Sequence, residues 1–371
     1  MIRTPPALTR HPFALAVARR FDRHLPAILL LAALLAAGPS VTDEHAVIFI
    51  YHHVASDTPS STSVTPERFS EHLDYLVGNA YRVLPVEQVL DHLAHRRALP
   101  ERSVAITFDD AYLSVYNIAR PMLDARDMPY SVFVSTAPID AGSDNYMSWE
   151  QLRRISEYGG TIGNHGVAHQ SALARGRNES REERLQRFRT DAISAQGRIA
   201  AETGSAPIVF AWPYGEFNAQ VEKVLEELGW YGLGQQSGAA GFDTAMTAVP
   251  RFPISTGFAD EGAFALRARA EPLPLRILGP PDRLLQSGSP APRLEFRLRE
   301  GPYALDGLNC FNSRGDRLDV QKGASGAVTV HSSSPLAAGR SKYTCTAPHQ
   351  EKNGVFGWYS HVWVVAGGHG E

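Results

Sequence analysis

Cysteine is almost missing from this sequence: its 371 residues include two, Cys310 and Cys345. That excludes a disulfide-dense miniature scaffold and any metal cluster built from cysteine alone. Positive charge is not in excess either. Lys and Arg total 36 against 39 Asp and Glu, a net charge of −3, which leaves no phosphate-gripping surface and argues against a nucleic-acid partner. Low-complexity stretches and internal repeats are absent, and 43% hydrophobic with 20% charged residues is a globular composition. The apolar run at 25–37 (LPAILLLAALLAA) falls short of the roughly 20 residues that cross a bilayer. Arg19, Arg20 and Arg23 precede it and Gly38, Pro39 and Ser40 follow, the pattern of a signal peptide over residues 1–40. An uncleaved anchor, with membrane association through this segment, is the alternative. Either reading exports the chain to the periplasm or beyond, where a Cys310–Cys345 disulfide is permitted.

From residue 46 short apolar runs alternate with helical patterns. Val47–Tyr51, Val104–Phe108, Ser131–Ser135, Thr161–Asn164 and Ile208–Trp212 read as buried strands. Thr65-Pro66 opens one helix, with Phe69, Leu73 and Leu76 on one face, and Ser148 opens another. Further helices are expected over about 180–201 and 218–228. The Arg/Glu-rich piece at 175–189 reads as a solvated helix face. This alternation predicts an α/β domain over 41–270, its parallel strands in a barrel or doubly wound sheet. Past the prolines at 272–292, short alternating strands (293–298, 327–331, 358–365) predict a small all-β, sandwich-like domain over 271–371.

Polar groups follow four of the strands: His52-His53, Asp109-Asp110, His165 with His169, and Pro213-Tyr214-Gly215. Parallel α/β folds build their sites at that edge. His165 and His169, four residues apart, can face the same way on one helical turn and bind a divalent ion. With one carboxylate they leave a position open for water. Of the adjacent Asp109 and Asp110, one can ligate while the other acts as general base. Taken singly, Asp-Asp after a strand is also a common helix N-cap, and an isolated His-x3-His is often surface or core.

Thr107-Phe108-Asp109-Asp110, His165-x3-His169 and Trp212-Pro213-Tyr214-Gly215, in this order, resemble the NodB-type polysaccharide deacetylases (carbohydrate esterase family four) over about residues 45–258. The resemblance implies a distorted (β/α) barrel and metal-dependent removal of N-acetyl groups from a sugar polymer. It also implies roles: Asp109 as general base, Asp110, His165 and His169 as metal ligands, and the Tyr214 backbone N–H as oxyanion donor. The metal would be zinc, with cobalt, nickel or iron as alternatives. Three departures stand out. Gly166 replaces a Ser or Thr, Ala211 replaces the arginine that steadies the base, and no late Leu-x-His appears near Arg251-Phe252-Pro253-Ile254. These departures, with Tyr51-His52-His53-Val54, are similar to the branch acting on poly-β-1,6-N-acetylglucosamine.

On that basis His52 is the expected acid or a substrate contact, and Arg251 the expected substitute for the missing arginine. His53 is a packed neighbour by the alternative reading. Trp212 and Trp149 are candidate sugar-stacking walls, with core packing the alternative for Trp149. Trp358, Tyr359, His361 and Trp363, with Tyr343, either stack on carbohydrate or form a core. The substrate expected is an N-acetylglucosamine polysaccharide. Peptidoglycan or chitin, or a catalytically silent sugar-binding protein, are the alternatives.

Overall fold

The computed structural model describes residues 42–205, 208–280, 282–323 and 326–366; the apolar segment at 25–37 lies outside them. Six parallel strands form the central sheet: β1 (His45–Tyr51), β2 (Ser103–Phe108), β3 (Ser131–Val134), β4 (Thr161–Asn164), β5 (Val209–Ala211) and β6 (Tyr231–Leu233). They lie side by side in sequence order and curl into a partial barrel, whose β1 edge is extended by β7 (Ala240–Gly241) and β8 (Phe252–Pro253). This is the expected distorted barrel, with further sheets after it.

β1 and β2 are buried along nearly their whole length, as strands covered on both faces must be. Alternation then sends successive residues of β1 to opposite sides. Val47, Phe49 and Tyr51 join a core with Phe69, Leu73 and Leu76 of α1 (Pro66–Gly78), whereas Ala46 and Ile48 pack with Val86, Val89, Leu90 and Leu93 of α2 (Val86–Ala94). Each such Leu or Phe contributes about 1.5–3 kcal/mol on burial.

The helix starts are capped by their own sequence. The Thr65 hydroxyl accepts the Arg68 N–H before Pro66 of α1. Ser148–Gln151 and Ser180–Glu183 form capping boxes on α3 (Trp149–Glu157) and α4 (Arg181–Thr203). Asn218 caps α5 (Ala219–Leu228), which stops at Gly229 in the left-handed region (φ +71°). α6 (Glu261–Ala268) closes the helical part.

Two mainly antiparallel sheets follow. One is built on the hairpin of β14 (Gly339–Pro348) and β15 (Phe356–Val365), with β11 (Asn309–Phe311) alongside. The other runs β9 (Leu275–Gly279), β10 (Arg293–Leu298), β13 (Ala327–His331), β12 (Asp319–Lys322). Leu294, Phe296, Val328, Val330, Tyr343 and Trp363 share the core between them, and Cys310 and Cys345, paired in register on β11 and β14, form a disulfide inside it. Val362 and Val364 of β15 instead join Trp212 and Phe217 of the barrel.

Part of the aromatic run is core. Tyr343 and Trp363 are fully buried and His361 nearly so. They are core, and sugar stacking by these three is excluded because their rings are packed inside it.

Candidate active site

The site begins where β2 runs out. The Asp109 N–H donates to the Tyr51 carbonyl at 3.0 Å, the last step of the ladder to β1. Asp110 (φ +72°) and Ala111 (φ +58°) then turn through the left-handed region, where non-glycine residues persist only if their surroundings hold them. The turn separates two adjacent carboxylates, one toward an arginine and one toward two histidines.

Asp109 is completely buried, and so is its partner. Arg251 Nη1 and Nη2 donate to the two carboxylate oxygens at 2.7 Å each, a two-pronged clamp. Arg251 is itself held through Nε to the Gly234 carbonyl (2.8 Å) and through Nη1 to Thr107 Oγ1 (3.2 Å). Burial pushes the Asp109 carboxyl up. The Arg251 charge, with those of His165 and His52 and the Arg251 hydrogen bonds, outweighs it and holds the group below the usual carboxylate range. Arg251 thus occupies the place expected of it beside Asp109, while Ala211, at the end of β5, presents its carbonyl to His165.

One nitrogen or oxygen each from Asp110, His165 and His169 lies within 4.8 Å of the others. Asp110 Oδ1 is 3.4 Å from His165 Nε2 and 3.2 Å from His169 Nε2. His165 Nδ1 meets the Ala211 carbonyl at 2.7 Å, so that nitrogen carries the proton, while buried Nε2 has no hydrogen-bond partner. An orphaned lone pair aimed at a carboxylate and a second imidazole is what a divalent cation requires, so these three residues fit one. Burial and the neighbouring His165 push His169 down to about 4, which leaves its ring neutral and able to ligate. Burial lowers His165 as well, but Asp109 and Asp110, with the Ala211 carbonyl, outweigh it and raise the ring.

The two histidines do not share a helical turn, contrary to expectation. They sit in a loop after β4, in which Gly166 (φ +80°) and His169 (φ +53°) make the turn. Gly166 replaces the hydroxyl residue for a steric reason: a Cβ there would lie 2.7 Å from Asp191 Oδ2. Asn164 Oδ1 accepts the Gly166 N–H at 2.8 Å, Ser135 Oγ donates to the His165 carbonyl at 2.9 Å, and the Asp191 carboxylate accepts the Val167 N–H. These positioning residues were missed. Asn164, polar at the end of an apolar run, was the one visible hint.

His52, directly after β1, lies within the fields of Asp109, Asp110, Arg251 and His165. Burial lowers its pKa, and the two carboxylates pull against that. His53 turns away and stacks on Tyr112 at 3.6 Å between ring centroids, a packed neighbour. Tyr214, in the left-handed region (φ +58°), sets its half-exposed ring edge-on to His169 at 4.4 Å.

Trp212 is no wall of the site. It is fully buried between Phe188 and Phe217, and its indole N–H donates to the Thr247 carbonyl at 2.9 Å. Directly after β5, its side chain enters the core that Phe210 and Phe217 share, away from the turn that follows. Trp149 is likewise engaged elsewhere, with its N–H on Asp140 and Arg198 over its ring.

Residues 96–233 match the polysaccharide deacetylase family model. The match holds Asp109, Asp110, His165, His169 and Tyr214, and leaves His52 and Arg251 outside. The chain is 26% identical over 221 residues to the poly-beta-1,6-N-acetyl-D-glucosamine N-deacetylase of Escherichia coli K12, covering 50% of this chain and 33% of that protein, so it spans about a third of that relative's length. The BpsB deacetylase domain from Bordetella bronchiseptica superposes with a TM-score of 0.50 at 25% identity, over 58% of this chain and 98% of that one. The Streptococcus pyogenes deacetylase PplD, solved with acetate, shares the fold with a TM-score of 0.52 at 22% identity, over 58% and 94%. With the family match spanning the strands from β2 to β6 that build the site, residues 96–233 carry a polysaccharide deacetylase domain of the NodB type.

Proposed function

We propose that this site removes N-acetyl groups from an N-acetylglucosamine polysaccharide and releases acetate. The observation that supports this most is the buried Arg251–Asp109 clamp beside the open Asp110, His165 and His169 triad. A divalent cation on that triad, zinc before cobalt, nickel or iron, would acidify a water toward a pKa of about 7 and polarise the acyl oxygen.

The chain's own residues divide the remaining work. Asp109, kept ionised by Arg251, accepts the proton of the attacking water as the acyl carbon becomes tetrahedral. The Tyr214 N–H donates to the oxyanion. His52 delivers a proton to the amine as the carbon–nitrogen bond breaks; a ring whose charged form burial disfavours gives that proton up readily. The products are acetate and a glucosamine unit. The 271–371 sheets form an accessory domain, and the 1–40 segment directs export, in keeping with the disulfide.

The test is acetate release from poly-β-1,6-N-acetylglucosamine, a chitin oligomer and peptidoglycan, with Asp109→Asn as control. The first polymer is expected to be the best substrate, and the variant to lose about 10²–10⁴-fold. Full activity in Asp109→Asn would overturn the base assignment, and His52→Ala with an unchanged kcat would remove His52 from the chemistry. Purified protein should carry a divalent metal that His165→Ala lacks while remaining folded.

A further inference from the structure

β14 brings two cations to the edge of this site. Alternate residues of a strand share a face, and the face carrying Arg340 and Lys342 meets the segment after β6. Arg340 Nη1 donates to Gln235 Oε1 at 2.7 Å and Lys342 Nζ to Ser237 Oγ at 3.0 Å. Both partners are neutral, and neither cation forms an ion pair among the described residues. The carboxylate whose field reaches Arg340 is Glu216, which is buried and bonded to Ser171 Oγ at 2.5 Å.

Two routes tie the pair to the chemistry. Gly215 follows Tyr214, whose ring packs on His169, and a Cβ on Gly215 would lie 2.6 Å from Arg340 Nη1. Gln235 follows Gly234, whose carbonyl holds the arginine that clamps Asp109. Burial, then the charges of Arg340 and Arg267, push the Lys342 amine down to about 8, with no carboxylate opposing them.

The reaction itself changes the charge of the polymer. Each turnover replaces a neutral amide with an amine that takes up a proton from water. We propose that Arg340 and Lys342 act as a charge filter at the rim, disfavouring a chain in which the sugar beside the reacting one has already lost its acetyl group. Deacetylation is then spaced along the polymer instead of running in blocks. This rests on the deacetylase reading above. Two cations each about 8 Å from a third, in water-like surroundings, shift an equilibrium about five-fold, and salt weakens the effect.

The experiment compares kcat/KM on a β-1,6-linked N-acetylglucosamine pentamer with that on the same pentamer carrying one internal glucosamine, the reacted position being read by mass spectrometry. Wild type should favour the fully acetylated pentamer about five-fold at low salt, with the ratio shrinking in about 0.5 M salt. In Arg340→Gln/Lys342→Gln the ratio should fall toward one, whereas Arg340→Lys, which keeps the charge, should retain it. A wild-type ratio near one, or a ratio unmoved in the double variant, overturns the filter while acetate release still stands. No acetate from either pentamer in wild type overturns the deacetylase reading and the filter with it.

Discussion

In the barrel, polar side chains at the ends of β1, β2 and β4 meet at one place, so that His52, Asp110, His165 and His169 surround the Asp109–Arg251 clamp. In the C-terminal sheets a run just as rich in chemistry, Tyr359, His361 and Trp363 with Tyr343 opposite, lies on one face and is packed into the core, Tyr359 partly and the other three buried. The difference lies in where each residue stands on its strand. A group beyond the last rung of a parallel ladder is released from the alternation and can be aimed by the turn that follows. A group on the packed face of an antiparallel strand has no direction left but a core.

The sharpest way to break that comparison is at the clamp. Arg251→Leu leaves Asp109 buried without its counter-charge, which should cost about 3–5 kcal/mol in denaturant unfolding. In that variant burial acts on Asp109 against the charges of His165 and His52 alone, so the acid limb of the kcat/KM profile should move to higher pH. Because the folded carboxyl lies below its unfolded value, the pair's contribution to stability is full above the ordinary carboxylate range and is lost as pH falls below it. An Arg251→Leu protein with wild-type stability and pH profile would make the clamp ornamental.

Trp363→Ala probes the opposite region. It should cost about 3–5 kcal/mol, as large-to-small changes in a core do, with no change in polymer affinity at temperatures where the protein is folded. Weakened polymer binding at unchanged stability would mean that the β sheets do hold carbohydrate through this residue. Replacing Cys310 and Cys345 together by serine opens a loop of sequence separation 35 and should lower unfolding stability by about 2–4 kcal/mol. Unchanged stability under oxidising conditions would show that the sheets do not depend on that link.

Much of the barrel was legible because burial on both faces writes a strand as an unbroken apolar run, and because each helix carried its own cap. Val47–Tyr51 and Thr161–Asn164 could be read nearly to the residue. Asp109, Asp110, His165 and His169 were visible as polar groups placed immediately after such runs. What escaped is what depends on partners distant in sequence. Nothing local distinguishes Arg251 from a surface arginine after a proline; its burial is decided by Asp109, Thr107 and Gly234. The loop carrying His165 and His169 mimics helical spacing because its ends are four positions apart in either conformation, and Asn164, Ser135 and Asp191, with backbone bonds from Thr136 and Ala137, hold it otherwise. Trp212 misled because it adjoins the turn that matters while its own side chain alternates inward.

Each region also holds a buried histidine that burial keeps neutral, and acid should reach both. In the barrel, His72 donates Nε2–H to the Ala259 carbonyl at 2.8 Å and accepts the Tyr51 hydroxyl at 3.1 Å; burial pushes it down to about 4. On β15, His361 lies against Trp363 and beside the Tyr359 hydroxyl, and burial pushes it down to about 3. Both folded values lie below the unfolded 6.5. The stability each neutral ring provides is therefore full above pH 6.5 and is lost as pH falls from there through the folded value. Shifts of about 2.5 and 3.5 pKa units correspond to roughly 3–5 kcal/mol per ring at most. His72→Gln and His361→Gln should each flatten the fall in unfolding stability between about pH 6.5 and 4, and should do so additively, since the two rings sit in separate cores. If His72→Gln alone removed the whole slope, the two regions would not share the acid response, and the barrel would be the part that acid opens.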